Sequence, residues 1–552
     1  MAGSLIQTRR WLAFAAGLLI LNFALTFHNI WPTPWITTRH EISIEIVALL
    51  LLLVLWERLH RPLTQRGLHG IALLLTLMCI GRYAEVTAPA LYGRRINLYW
   101  DAQHLPAVAA MLVEAASPWL VAAVIVAGVG LLALVLAMLR WSLTQVREVT
   151  RSNRGGKVIA VMSSIVIVAY LLGYARLPVS VWPWFSLPVS TTYWRQAEFM
   201  WTAATESKQL PPPISMAGPN LDRVRGADLM VMFVESYGAM AYDNPLVATH
   251  TAPYRERFAN AAQASGRRVA SAFVESPTFG GGSWLAHMSF FTGLDVREQG
   301  DYNLLLTQSR DSLTRRFKAE GYRVLALMPG LKGAWPEGSF YGFETIYGEA
   351  ALAYPGPDFG WWRIPDQYSL ARLAAIELEP ADRPPVFAFF PTISTHMPFR
   401  PTPPFQSDWS RLLTETPYAE QSAELAAALD WTDLVPAYAG TLAYTFEYLA
   451  SFLEERAKDE QVLVLLGDHQ PPASVAGAAA RWDVPVHIVA SQDAVIDALL
   501  EAGFVAGLIP EPVAVAPMYE LPTILLEAFS TPNAPKTAPT NPDVSISYDV
   551  PR

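Results

Sequence analysis

Two hydrophobic patterns divide the chain. Up to about residue 172 apolar residues come in long unbroken stretches, and beyond residue 226 in short runs separated by stretches of helical spacing. The long stretches are 11–27, 42–59, 71–90, 119–139 and 158–172. Each is close to the roughly 20 residues that cross a bilayer, so five membrane helices are predicted. Helices buried in a soluble core are the alternative, but so many apolar runs in succession are hard to cover in one. Glu45 interrupts the second stretch. In the third, Arg82 and Glu85 stand three apart, the spacing of a pair on one helix face. Arg9 and Arg10 precede the first as they would a signal peptide. With no clear small-residue cleavage site behind it, a retained helix is expected.

In the second half, the runs 229–234, 269–274, 324–328, 386–390, 462–466 and 484–489 read as strands buried on both faces. Helical pieces lie between them, including 312–320, stopped at Gly321, and 441–455. The alternation predicts an α/β domain over 227–530 with a mostly parallel central sheet covered by helices. Residues 176–226, aromatic and Pro-rich, predict a membrane-proximal linker, and 531–552, rich in Pro, Thr, Asn and Ser, a flexible tail. The segment from Tyr92 to Trp100 mixes aromatics with Arg and reads either as a headgroup-layer segment or as an ordinary aromatic belt.

Composition agrees with a half-membrane chain. It is 52% hydrophobic with a mean hydropathy of +0.24, between a soluble enzyme and a chain made only of membrane helices. The net charge of −9 argues against a nucleic-acid partner. Cys79 is the only cysteine, so no disulfide forms within the chain. Arg9, Arg10, Arg58, Arg61, Arg66, Arg140, Arg147, Arg151, Arg154 and Lys157 gather on one side of the predicted spans, against Arg39, Arg94 and Arg95 on the other. Basic loops stay cytoplasmic. Five crossings then leave everything after residue 172 outside, in the periplasm of a two-membrane bacterium.

Several strands end in chemistry, and in open α/β sheets ligands gather beyond the carboxyl ends of strands. Glu235 follows 229–234, Asp468 and His469 follow 462–466, and His396 follows 386–390 after a short loop. Taken singly, each reads as a capped turn or a solvated side chain. Together, two acids and two histidines form a usable divalent-metal set. The loop Gly280-Gly281-Gly282-Ser283 opens a helical pattern. Its glycines permit close backbone approach, and a helix N-terminus offers N–H groups to a phosphate. Ser283 reads equally as a nucleophile or as a helix cap.

Glu235-Ser236-Tyr237, the Gly-Gly-Gly-Ser283 loop, Thr395-His396-Met397-Pro398-Phe399 and Gly467-Asp468-His469 resemble the metal-dependent, sulfatase-like branch of the alkaline phosphatase superfamily. The similarity is to its lipoteichoic acid synthases, phosphoglycerol transferases and phosphoethanolamine transferases. It implies an inner-membrane protein with an extracytoplasmic catalytic domain. It also implies one divalent ion, Mn2+ or Zn2+ or else Mg2+, on Glu235, Ser283, Asp468 and His469. Ser283 would be the nucleophile, His396 would contact the phosphate or protonate the leaving group, and Trp335 would line the substrate pocket. Two features depart from lipoteichoic acid synthases. Trp335-Pro336-Glu337 puts an acid where those enzymes hold phosphate with Arg, and Leu327-Met328-Pro329-Gly330 lacks their histidine. Lys332 or His287 would have to substitute, and an acid there suits a cationic headgroup such as phosphoethanolamine. Ser283-Trp284-Leu285-Ala286-His287 lacks the Pro and Arg of a formylglycine motif, which argues against sulfate-ester hydrolysis.

The expected function is transfer of a phospholipid-derived headgroup, phosphoglycerol or phosphoethanolamine, to a glycan or lipid acceptor of the envelope through a phospho-serine. The alternatives are a membrane-bound phosphodiesterase or phosphatase that uses water, and a non-catalytic envelope-binding protein.

Overall fold

The computed structural model describes all residues except 1, 31–32, 60–62, 93–97, 103–104, 107–108, 111–116, 177–183, 206–209, 211–215, 217–219, 334, 360–363, 419–428, 478 and 532–552. The expected tail, most of the segment 92–100 and parts of the expected linker therefore lie outside the described residues. The chain forms two compact units, one of Met1–Lys208 with Pro472–Ala479, the other of Gln209–Pro471 with Ala480–Arg552.

The first unit is helical: α1 (Ala2–Thr26), α2 (Ile44–Leu59), α3 (Gln65–Tyr92), α4 (Pro118–Thr150), α5 (Asn153–Arg176) and α6 (Val189–Thr205). Among the described residues, four helices are long and apolar enough to cross a membrane, over Arg9–Thr26, Gln65–Pro89, Pro118–Thr150 and Asn153–Leu171. The expected second span is shorter than predicted. At 1.5 Å per residue the 16-residue α2 covers about 24 Å, against roughly 30 Å of hydrocarbon. It still runs beside its neighbours: Asn22 of α1 donates to Glu41 O (2.8 Å) just before α2, and Glu57 near its end pairs with Arg147 of α4 (2.8 Å). α4 continues past Arg140 to 33 residues because no Gly or Pro interrupts 139–150. Val124, Ile125, Val126 and Val129 stand exposed on it, a face suited to lipid.

Two expectations are corrected here. Arg82 does not pair with Glu85. It is only 2% exposed, and its guanidinium donates to Phe27 O (2.9 Å) and contacts His28 Nε2 (2.8 Å), while Glu85 pairs with Arg195 of α6 (2.9 Å). The expected linker holds a 17-residue helix, α6, with no Gly or Pro to break it. Ser190 of α6 donates through N and Oγ to Glu45, and Tyr193 Oη donates to Leu77 O (2.6 Å). The acids that interrupt the apolar stretches thus each find a partner on α6.

The second unit is an α/β fold. Its nine strands, numbered within the sheet, are β1 (Asp228–Val234), β2 (Arg268–Glu275), β3 (Arg323–Leu327), β4 (Thr345–Tyr347), β5 (Val386–Pro391), β6 (Gln461–Gly467), β7 (Asp483–Ala490), β8 (Val505–Ala506) and β9 (Ala514–Pro517). Their order is β8-β2-β7-β6-β1-β5-β3-β4, with β9 beside β2. The run β6-β1-β5-β3-β4 is parallel, and β7 is antiparallel to both β6 and β2. All six expected strands are present. The two additional edge strands and β4 are two to four residues long, too short for a hydrophobic period to register.

The unit's core begins before residue 227, the expected boundary, because Met216, Leu221 and Val224 pack into it. β1 is buried along its whole length. Helix Ser283–Thr292 contributes Leu285, Ala286, Phe290 and Phe291 to the same core. The helix expected over 441–455 starts earlier, and Val435–Glu455 packs against Pro245–Ala264. In the parallel register Val234 of β1 lies opposite Gly467 of β6, and Phe233 opposite Pro391 of β5. Three neighbouring strands therefore end level, about 4.8 Å apart, at one edge of the sheet.

Candidate active site

That edge places the chemistry. Glu235 is the first residue beyond β1, Asp468 and His469 the first two beyond β6, and Thr392 the first beyond β5. Ser283 opens its helix after Gly282, whose φ of 83° is left-handed and favours glycine. The Ser283 hydroxyl lies 3.0 Å from Glu235 Oε2, to which it donates, and 3.1 Å from His469 Nε2. His469 Nε2 is 3.4 Å from Glu235 Oε1 and 3.6 Å from Asp468 Oδ2. Among the described residues, one group of His, Cys, Asp and Glu side chains is arranged to hold a metal ion: Glu235, Asp468 and His469, with ligand atoms all within 4.8 Å of one another. Ser283 joins that group, and His287 and His396 feel the charges of Asp468 and His469.

The electrostatics fit a cation. Burial, then the charge of Glu235, pushes the Asp468 carboxyl up to about 7. Burial pulls His469 down, but the charges of Asp468 and Glu235 outweigh it and raise it. Two carboxylates forced together away from water repel each other, and a divalent cation relieves that repulsion. The His469 Nδ1–H donates to Gln470 O (2.7 Å), which turns Nε2 toward the acids as a ligand nitrogen. The O, O, N donor set suits zinc or manganese. The residues present therefore fit the implied ion.

The surrounding backbone holds the acids in place. The Ser236 N–H donates to Asp468 Oδ1 (2.8 Å) and its hydroxyl to Glu235 Oε1 (3.1 Å). The Glu235 N–H donates to Thr392 Oγ1 (3.2 Å), and the His469 N–H to Asp468 Oδ1 (2.7 Å). Strands β1 and β6 meet so closely that a Cβ built on Gly467 would lie 1.8 Å from Tyr237 O.

His396 lies half-buried beyond β5. Its Nδ1–H donates to Met397 O (2.6 Å), and desolvation lowers its pKa, with the charges of His469 and Asp468 also acting on the ring. Its loop is tied down by Asp366, which accepts from the N–H groups of Ile393 (3.0 Å) and Ser394 (2.9 Å). His287 lies one turn beyond Ser283, its ring edge-on to Phe233 (4.5 Å) and Phe389 (5.1 Å). Burial pushes it down to about 4, and its Nε2 has no hydrogen-bond partner among the described residues. Trp335 stacks on Tyr341 (5.5 Å) at the border of the core, and Lys332 is exposed three residues earlier. Thr392, Gln470 and Asp366 carry no sequence signal of their own, and Ser236 appears in its motif without a role. Each acts through a backbone or side-chain bond to a residue distant in sequence or already singled out.

A family model described as Sulfatase matches residues 256–487, which contain Ser283, His396, Asp468 and His469; Glu235 precedes the match. A protein of Haemophilus influenzae, described as uncharacterized, is 27% identical over 213 residues. That alignment covers 35% of this chain and only 36% of the relative. Among solved structures, the lipooligosaccharide phosphoethanolamine transferase EptA from Neisseria meningitidis is similar at 16% identity and a TM-score of 0.43, over 76% of this chain and 78% of that one. The Streptococcus pyogenes phosphoglycerol transferase GacH, in complex with sn-glycerol-1-phosphate, is similar at 14% identity and a TM-score of 0.35, over 62% and 87%. The lipoteichoic acid synthase LtaP from Listeria monocytogenes is similar at 13% identity and a TM-score of 0.33, over 51% and 69%.

Proposed function

We propose that the protein, whose residues 256–487 match a family model described as Sulfatase, is a membrane-anchored transferase of the alkaline phosphatase superfamily. It moves a phospholipid-derived headgroup, phosphoglycerol or phosphoethanolamine, to a glycan or lipid acceptor of the envelope through a phospho-serine on Ser283. The observation that carries this reading is the approach of the Ser283 hydroxyl to Glu235 and His469, with Asp468 alongside.

In the first half-reaction Ser283 Oγ attacks phosphorus. The Oγ–P bond forms, the P–O bond to diacylglycerol breaks, and the proton lost by Ser283 balances the one gained by the departing oxygen. In the second, an acceptor hydroxyl attacks phosphorus: its O–P bond forms, the Ser283 Oγ–P bond breaks, and the proton lost by the acceptor balances the one Ser283 recovers. Burial lowers the His396 pKa and so favours the neutral ring, and with Nδ1–H donating to Met397 O, Nε2 is assigned the proton of the incoming hydroxyl. A divalent cation held by Glu235, Asp468, His469 and Ser283 supplies charge neutralisation at the phosphoryl oxygens. The N-terminus of helix Ser283–Thr292 adds a favourable dipole at the same point. Trp335, His287 and Lys332 are proposed to line the headgroup side.

The domain plan is part of the proposal: a membrane unit, and a catalytic unit on the outer face of the inner membrane. The gathering of Arg and Lys at one end of the spans supports that orientation. A membrane anchor confines enzyme and lipid to one surface, which raises their encounter rate.

The test supplies labelled phospholipid to purified protein with and without a glucan or lipid A acceptor. Headgroup transfer and a trapped phospho-enzyme are expected for the wild type, and neither for Ser283→Ala. Turnover retained in that variant refutes the nucleophile. Product formed only as free headgroup, whether or not acceptor is present, makes the protein a hydrolase.

A further inference from the structure

Two non-glycine residues beside the site adopt left-handed backbone. Ser236, with φ of 56°, directly follows Glu235, and Phe399, with φ of 67°, stands three residues after His396. Both are buried. Such a conformation is unfavourable for residues with a Cβ and persists where the surroundings enforce it. One side chain touches both turns. Tyr438 Oη donates to Ser236 O (2.8 Å), and the Tyr438 ring lies edge-on to that of Phe399 at 5.3 Å and 71°. Tyr438 is wholly buried, in the first turn of helix Val435–Glu455, and its own N–H is bonded to Leu434 O. It belongs to a regular element, not to either loop.

We propose that Tyr438 is a positioning residue for cation binding. The inference rests on the reading that Glu235, Asp468 and His469 hold a divalent cation. The Ser236 residue aims its N–H at Asp468 and its hydroxyl at Glu235, so its orientation sets both acids. Tyr438 holds the carbonyl of the same residue. Removing Oη leaves Ser236 O buried without that donor and frees the turn to relax toward ordinary backbone, carrying the acids with it. The ring's contact with Phe399 braces the His396 turn in the same way. Helix Val435–Glu455 thus supports the site from outside the strand-end set.

The experiment titrates metal-stripped, full-length protein with Zn2+ and with Mn2+ by calorimetry. Tyr438→Phe removes one hydroxyl and keeps the ring. A 10- to 100-fold weaker Kd is expected, the usual effect of losing a group that orients a ligand. Tyr448→Phe, at another fully buried tyrosine of the same helix, is expected within twofold of wild type. In a Ser236→Gly background, where left-handed backbone carries no Cβ penalty, the Tyr438→Phe loss should shrink. Wild type that binds cation while Tyr438→Phe binds equally well overturns the proposal alone. So does an equal loss in Tyr448→Phe, which marks a general loosening of the helix. Wild type that takes up neither cation overturns the cation reading, and the proposal with it.

Discussion

Substituting Gly467 by Ala tests the strand-end geometry most directly. Gly467 closes β6 and immediately precedes Asp468. A Cβ there would lie 1.8 Å from Tyr237 O, 2.9 Å from Tyr237 C and 3.1 Å from Val484 Cβ. Ordinary contact begins at ~3.5 Å, so the two segments must separate by about 1.7 Å. Both nearest atoms are backbone, and no side-chain rotation relieves the clash. One of the segments forced apart carries Glu235 and the other carries Asp468 and His469. Inserting a methyl into a close-packed site costs about 1–3 kcal/mol, and this site belongs at the upper end. Metal ligands tolerate shifts of about 0.2 Å, so a displacement several times larger should weaken cation binding at least ~100-fold. The assay is thermal unfolding of full-length protein with and without added Zn2+, together with a calorimetric titration. Gly440→Ala serves as the control: nothing lies within 4 Å of its built Cβ inside helix Val435–Glu455, and it should stabilise by about 0.5–1 kcal/mol. A Gly467→Ala protein with wild-type melting and wild-type affinity would refute the claim that β1 and β6 together frame the site.

Other expectations follow from buried charge. Burial pushes the Asp366 carboxyl up to about 6, although the Ser394 hydroxyl and the N–H groups of Ile393 and Ser394 pull it down. Its folded pKa therefore exceeds the unfolded value near ~3.9, and the folded chain binds the proton more tightly. Stability from this group is present below pH ~4, is lost as pH rises through about 6, and levels off above, a change on the order of 3 kcal/mol. Asp366→Asn should lack that dependence, so denaturation curves between pH 4 and 7 should converge or diverge with pH; parallel curves would count against it. Arg383 makes a two-pronged pair with Asp228 at the start of β1 (2.6 Å for each bond), and Asp228 also accepts from the Val386 N–H (2.8 Å). Arg383→Ala strands a buried carboxylate and should cost about 3 kcal/mol, read as a lower urea midpoint; an unchanged midpoint rejects the pairing.

Much of the architecture was legible in the chain because it depends on local pattern. Bilayer-length apolar stretches and short continuous runs name their own elements, and a reactive residue after a buried run already stands at a sheet edge. This is why Glu235, Asp468 and His469 could be singled out before any coordinates. What the linear pattern cannot contain is which ends meet. The alignment of β1, β5 and β6 comes from parallel hydrogen-bond register between segments more than 150 residues apart, and Ser283, which opens the helix after β2, meets Glu235 only in the folded unit. The same limit explains Arg82, whose expected neighbour on the helix gave way to a loop carbonyl and His28 while Glu85 turned to α6. It explains Tyr438 and Ser236 as well, an apolar-looking helix position and a serine whose motif assigns it no partner, joined by one hydrogen bond across 202 residues. Periodicity records how each segment meets an apolar environment, whereas the partners of a buried polar group are decided only when the segments close on one another and water is excluded.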